Sequence, residues 1–275
     1  MPKQSSIFKV RGKMDGNSFY YSSLGGYQFR KINPNMSERV KTEDQFINTR
    51  RNAAEFGAAG SMAGAICRAF YQSFRFVATP KMNGILTKLI DRLIRANTSG
   101  TWGQRNVMPS LMPQIEDTFN GCMKNQMPEL LKSYIINHVR WDSTNDQVVG
   151  TEVLQTTAEF EQELLNKGAT GFAFLLFCMG ATNPQFMPNV GKYFPCVANL
   201  VQLGVGSGYI QIDGTGNHTI VSTFAGGTAF VPQNTTNHAG GLLAVYMPIR
   251  QTGTVNTVLQ DLCSAYWYPV PDQSE

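Results

Sequence analysis

The residue types that carry most enzyme chemistry are few in this 275-residue chain, and their spacing does not gather them. Three histidines occur, His138, His218 and His238. His138 falls in 133–141, where period-two alternation predicts a strand and a histidine held by structural hydrogen bonds is expected. His218 and His238 lie in Gly-, Asn- and Thr-rich stretches that read as turns. A nucleophilic triad would have to combine Ser222, His218 and Asp213, and no strand–turn–helix elbow surrounds that serine. Gly204-Val-Gly-Ser-Gly208 has the glycines of a phosphate loop without the Lys-Ser/Thr that should follow. The segment after it reads as strand, so turn geometry accounts for the glycines. Asp142 and Asp146 flank a hairpin-like turn and would offer a metal two carboxylates, although a solvated turn explains both. Glu159, Glu161 and Glu163 point in different directions around a helix expected over 158–167. The five cysteines, Cys67, Cys122, Cys178, Cys196 and Cys263, form no Cys-x-x-Cys pair and read as buried free thiols. No catalytic, cofactor or metal-binding residue is assigned, and the expectation is a protein that is not an enzyme.

Charge is the informative feature. Only 15% of residues are charged, against about 25% in an average globular chain. The net +4 hides a division: residues 1–105 hold 17 Lys or Arg and 6 Asp or Glu, whereas 106–275 hold 6 and 13. From 171 to 271 only Lys192, Asp213, Arg250 and Asp261 are charged. An exposed β-rich surface ordinarily needs such groups for solubility and to blunt strand edges. Their scarcity suggests that neighbouring copies cover this surface, and the opposite charges of the two ends favour head-to-tail contact.

The elements that carry these residues divide the chain into a basic β-hairpin region (1–36), a helical region (37–132) and an antiparallel β-domain (133–275). The fold class expected is α+β, its C-terminal part a sandwich or barrel. Asp15-Gly16 is a strong hairpin dipeptide and Gly25-Gly26 a second turn. Alternation of apolar and basic residues on these strands predicts one buried face and one cationic face. Ser37 is the expected cap of a first helix, and a second runs from Asp44 to about Phe76. Between Ala53 and Ala65 nine of thirteen residues are Ala or Gly, and Gly60-x-x-x-Gly64 would let another helix approach closely. A third helix is expected over Met82–Ala96, with Ile85, Leu89 and Leu93 toward a core. A short one is expected over Pro113–Asn120. No apolar run reaches the length of a membrane span, and the N-terminus lacks the apolar core of a secretory signal, so synthesis in the cytoplasm is expected, with later release in a particle or filament left open.

Gly12-Lys-Met-Asp-Gly-Asn-Ser-Phe-Tyr, Gly26-Tyr-x-x-Arg, Thr49-Arg-Arg-Asn-Ala-Ala-Glu-Phe-Gly57 and Trp102-Gly-Gln-Arg-Asn106 together resemble an uncharacterised bacterial protein family. The likeness spans about residues 7–106 and implies no activity, cofactor or site residue. Read physically, Thr49, Arg50, Asn52 and Glu55 make a polar row suited to locking the hairpin onto the helix, and Arg51 and Glu55 are spaced as an i,i+4 pair.

These features point to a structural protein that self-assembles with copies of itself into a filament, tube or capsid-like shell of the kind phages build. The alternative is nucleic-acid binding or packaging. Lys9, Arg11, Lys13, Arg30 and Lys31 interleave with Phe8, Phe19, Tyr20, Tyr21, Tyr27 and Phe29, a combination that binds phosphates and stacks bases. A second alternative is a surface- or carbohydrate-binding module using Tyr266, Trp267 and Tyr268. The candidate contact residues are therefore Lys9, Arg11, Lys13, Arg30, Lys31, Gly60 and Gly64.

Overall fold

The computed structural model describes residues 3, 8–142, 147–150, 153–202, 209–216, 218–221, 224–226 and 238–268. The chain forms two compact units, 1–52 and 53–275, the division falling within its longest helix.

The first unit is a three-stranded antiparallel sheet, β1 (Gly12–Met14), β2 (Asn17–Ser22) and β3 (Gly26–Lys31), in that order. Asp15 (φ 48°) and Gly16 (φ 71°) both take the left-handed backbone of a type I′ turn, whose twist matches the strands it joins. Helix α1 (Met36–Thr42) follows, with Asn35 rather than Ser37 at its cap position and no side-chain cap bond. Helix α2 (Ile47–Phe74) begins after a single 3₁₀ turn, and Arg50 donates to the carbonyls of Val40 and Glu43, both at 2.8 Å. No described residue from 8 to 52 is buried.

The second unit continues α2 into α3 (Met82–Ala96), α4 (Pro113–Asn120) and α5 (Glu129–His138). Short strands β4 (Val139–Asp142), β5 (Gln147–Gly150) and β6 (Val153–Gln155) come next, then α6 (Ala158–Asn166). The remainder is β7 (Gly171–Thr182), β8 (Phe186–Met187), β9 (Lys192–Tyr193), β10 (Ala198–Gln202), β11 (Ile210–Gln211), β12 (Thr219–Val221), β13 (Phe224–Gly226), β14 (His238–Thr252), β15 (Val255–Val258) and β16 (Ser264–Tyr268). The α+β class, the N-terminal hairpin and the C-terminal antiparallel sheet are as the sequence indicates.

The main sheet has six strands. β7 and β14 pair along their length, from His238 opposite Thr182 to Ile249 opposite Gly171. β10 and β11 lie on the outer side of β7, and β15 and β16 on the outer side of β14. Side chains alternate across the sheet, and helices cover both faces. Phe177, Met179, Leu243, Val245 and Trp267 pack into the core with Met62, Ile66 and Phe70 of α2, Leu86 and Ile90 of α3, and Phe119 of α4. Phe172, Phe174, Leu176, Leu242, Ala244 and Tyr246 pack with Leu131, Tyr134 and Ile135 of α5 and Phe160 and Leu164 of α6. Helical layers thus stand where a sandwich would place a second sheet. Double coverage also explains why Gly171–Thr182 is apolar almost throughout instead of alternating.

Two sequence expectations are corrected here. Residues 133–138 belong to α5 and not to a strand: Leu131, Tyr134 and Ile135 are buried at helical spacing, and the strand begins only at Val139. In α3 the core row is Leu86, Ile90, Leu93 and Ile94, whereas Ile85 is 42% exposed. The apolar stripe is wide enough to admit two registers, and packing selects the one centred on Ile90.

Candidate functional site

The basic residues of the first unit are divided by strand register. Lys13, Ser18 and Arg30 form one rung across the three strands, and Met14, Asn17 and Lys31 the next. Adjacent rungs face opposite ways, so Lys13 and Arg30 share one face and Lys31 lies on the other. That second face carries Phe19 opposite Phe29 and Tyr21 opposite Tyr27, with ring centroids 5.9 and 5.2 Å apart. The Arg11 guanidinium lies 5.2 Å from the Tyr21 ring centroid and 5.6 Å from that of Tyr27. Lys9 is exposed and precedes β1. The expected division into a buried apolar face and a cationic face therefore does not occur. Three short strands are too small to bury a face by themselves, and Arg11 is held on the aromatic face by cation–π attraction.

Gly60 and Gly64 lie in the second unit on α2. A Cβ on Gly60 would have the Thr87 Cγ2 of α3 as its nearest neighbour, at 4.0 Å, and one on Gly64 would meet the Arg68 guanidinium at 3.1 Å. No described backbone comes close enough to either to require a missing side chain. A cleft of about 470 Å³ runs beside this helix, lined by Ala65, Arg68, Ala69 and Gln72 of α2 and by 196–201 along β10.

Glu55 is fully buried and takes a different partner from those expected. Arg105 donates to it twice, Nε to Oε1 and Nη2 to Oε2, each at 2.7 Å, and the Gly103 N–H donates to Oε1 at 2.7 Å. Burial would raise the Glu55 carboxyl, but these donors outweigh it and hold the group below the ordinary carboxylate value. The 97–107 loop is fixed further by Asn183, which bonds both backbone groups of Val107, and by the Tyr193 hydroxyl on the Arg105 carbonyl. Glu55 thus locks this loop through Arg105 and Gly103. Of the polar row, Arg50 secures the start of α2.

Sequence reasoning named His218 and Asp213 together but missed the buried carboxylate, Glu161, that gathers them. Glu161, buried in the first turn of α6, receives His218 Nδ1 at 2.7 Å, the Gly214 N–H at 2.9 Å and the Thr156 hydroxyl. Burial alone would raise its carboxyl, and these donors together with the Gly216 N–H lower it instead. Asp213 lies beside His218, with 4.0 Å between Oδ1 and Nδ1. Ligand atoms of Glu161, Asp213 and His218 fall within 4.8 Å of one another, a separation that a divalent cation would tolerate. Both Glu161 oxygens already accept hydrogen bonds, however, so the carboxylate acts as an anchor for the 213–218 loop. Gly216 (φ 74°) closes that anchor, since any Cβ there would collide with the Thr157–Ala158 backbone. Fifty-seven residues separate Glu161 from His218, and the one advance signal was an acid just after a Thr-Thr helix start.

Ser222, Asp146 and 204–208 lie outside the described residues, as do the side chains of His138, Asp142 and His238. All five cysteines are buried free thiols, and burial pushes Cys67, Cys178 and Cys263 up to about 12. Trp267 is fully buried and cannot serve as an exposed aromatic platform. Tyr266 and Tyr268 are half-buried and stacked at 6.3 Å, with Lys132 5.5 Å from the Tyr266 centroid. No helix among the described residues is long and apolar enough to cross a membrane. Compared with family models, curated proteins and solved structures, the chain matches none of them.

Proposed function

We propose that this chain is a structural, non-catalytic subunit that assembles with copies of itself into a filament, tube or capsid-like shell. One observation carries the reading. Val190, Phe194, Val197 and Val255 are each more than half exposed, and Lys192 is the one charged side chain in 183–202 and 251–260 together. On a lone subunit, apolar side chains and uncharged strand edges would face water, which monomeric proteins ordinarily prevent with Lys, Pro or a covering loop. The low charge of β7, β14 and β16 has a different cause, because the chain's own helices bury those strands. Negative-stain microscopy of the purified chain tests the proposal: regular filaments, rings or shells support it, and a field of isolated 30.4 kDa particles overturns it.

The first unit favours a second reading, nucleic-acid contact within such an assembly. Arg11 against Tyr21 and Tyr27, with Phe19 and Phe29 on the same face, offers a cation beside stacking surfaces. Filter binding across a salt series tests it. Affinity that falls steeply with salt supports the reading, and no retention at low salt removes it.

A further inference from the structure

β10 and β15 are the two ends of the hydrogen-bonded path β10-β7-β14-β15. Among the described residues, nothing pairs with the outer edge of either. Their treatment contrasts with that of β16, where the Asn120 carboxamide accepts from the Trp267 N–H and donates to the Trp267 carbonyl, both at 2.7 Å. Asn125 likewise donates to the Cys263 carbonyl at 3.0 Å. The chain closes one edge with side-chain amides, whereas two others have no partner among the described residues.

We infer that β10 is the acceptor edge, and β15 the donor edge, of a head-to-tail β-ladder between copies of this chain. The inference rests on the self-assembly reading above and specifies its interface. Strand polarity supports it. β7 runs antiparallel to β10 and to β14, and β14 runs antiparallel to β15. β15 is therefore antiparallel to β10. A copy displaced across the sheet and slid along the strands, without being reversed, presents β15 to β10 in the orientation that continues the antiparallel ladder. The strands are similar in length, five residues at Ala198–Gln202 against four at Val255–Val258, and neither carries a charge to repel the other.

The faces match as well. Ala198 and Leu200 pack toward the α2 side of the sheet, as does Val258. Pleat alternation therefore directs the exposed Asn256 of a docked copy over the α2 cleft, where Ala65 and Ala69 leave room and Arg68 stands in the wall. Asn199 and Thr257 then share the opposite face. Because the two edges differ, the contact is heterologous and propagates, and sheet twist turns the propagation into a helix or closes it into a ring.

Two double variants of the full chain test the ladder. Asn199→Lys with Thr257→Lys places like charges across every interface, whereas Asn199→Lys with Thr257→Glu places opposite charges there. The like-charge protein should need about tenfold or more higher concentration to assemble. The opposite-charge protein should assemble within a few-fold of the parent, and it also serves as the folding control. If the parent assembles and both doubles do so equally, or neither does, the β10–β15 ladder is wrong while self-assembly stands. If the parent stays monomeric, both fall.

Discussion

Arg105 grips Glu55 through two parallel hydrogen bonds of 2.7 Å, joining residues fifty positions apart in a pocket where the carboxylate has no exposure to water. Bidentate geometry and the extra Gly103 N–H give this carboxylate three donors. Removing one member of such a pair leaves the other buried without its partner, which costs more than losing both. Glu55→Gln should therefore lower unfolding free energy by about 3 kcal/mol in urea titration. Glu55→Met with Arg105→Met should be less destabilised than the two single changes added together. Additive costs would show that the pair is not coupled.

The pH dependence follows from the same chemistry. Glu55 and Glu161 both have folded-state carboxyls held below the ordinary value by their donors. Each contributes stability that is present above the unfolded-state pKa, about 4.3, and is lost as pH falls through the folded value. Urea midpoints should stay level down to about pH 5 and then fall. Glu161→Gln should be less stable at neutral pH and lose less on acidification, since its share of the acid-sensitive stability is already gone. An acid limb unchanged in that variant would contradict the assignment.

Gly60 gives a prediction of opposite sign. It sits inside α2 with open space where a Cβ would go, so Gly60→Ala should stabilise the chain by about 0.5–1 kcal/mol by reducing the freedom of the unfolded backbone. Thermal unfolding measures the gain, and a loss of stability would mean that a close neighbour occupies that space.

Elements whose signals are local were legible in the sequence. Helix α3 spans Met82–Ala96 and α4 spans Pro113–Asn120 as expected, because proline openings and i,i+4 apolar spacing act within one or two turns. The Asp15-Gly16 turn was legible for the same reason. Residues 133–138 misled because adjacent β-branched Ile135 and Ile136 mimic a strand, and the helix is settled by Leu131 and Tyr134 meeting the sheet. The covering of both sheet faces was not legible, since it depends on which helices fold over which face. The residues Glu55 and Arg105 were both singled out, but their pairing was not, because a buried ion pair leaves no spacing rule in the chain. The low charge of 171–271 has one cause that composition did not reveal: the chain's own helices bury β7 and β14.

The outer edges of β10 and β15, unpaired among the described residues, make the proposed assembly directly testable. Sedimentation velocity of the purified chain over a hundredfold concentration range reads the outcome directly. Assembly through open edges requires species at multiples of 30.4 kDa whose share rises with concentration. A single 30.4 kDa boundary, unchanged up to the highest concentration, would contradict it.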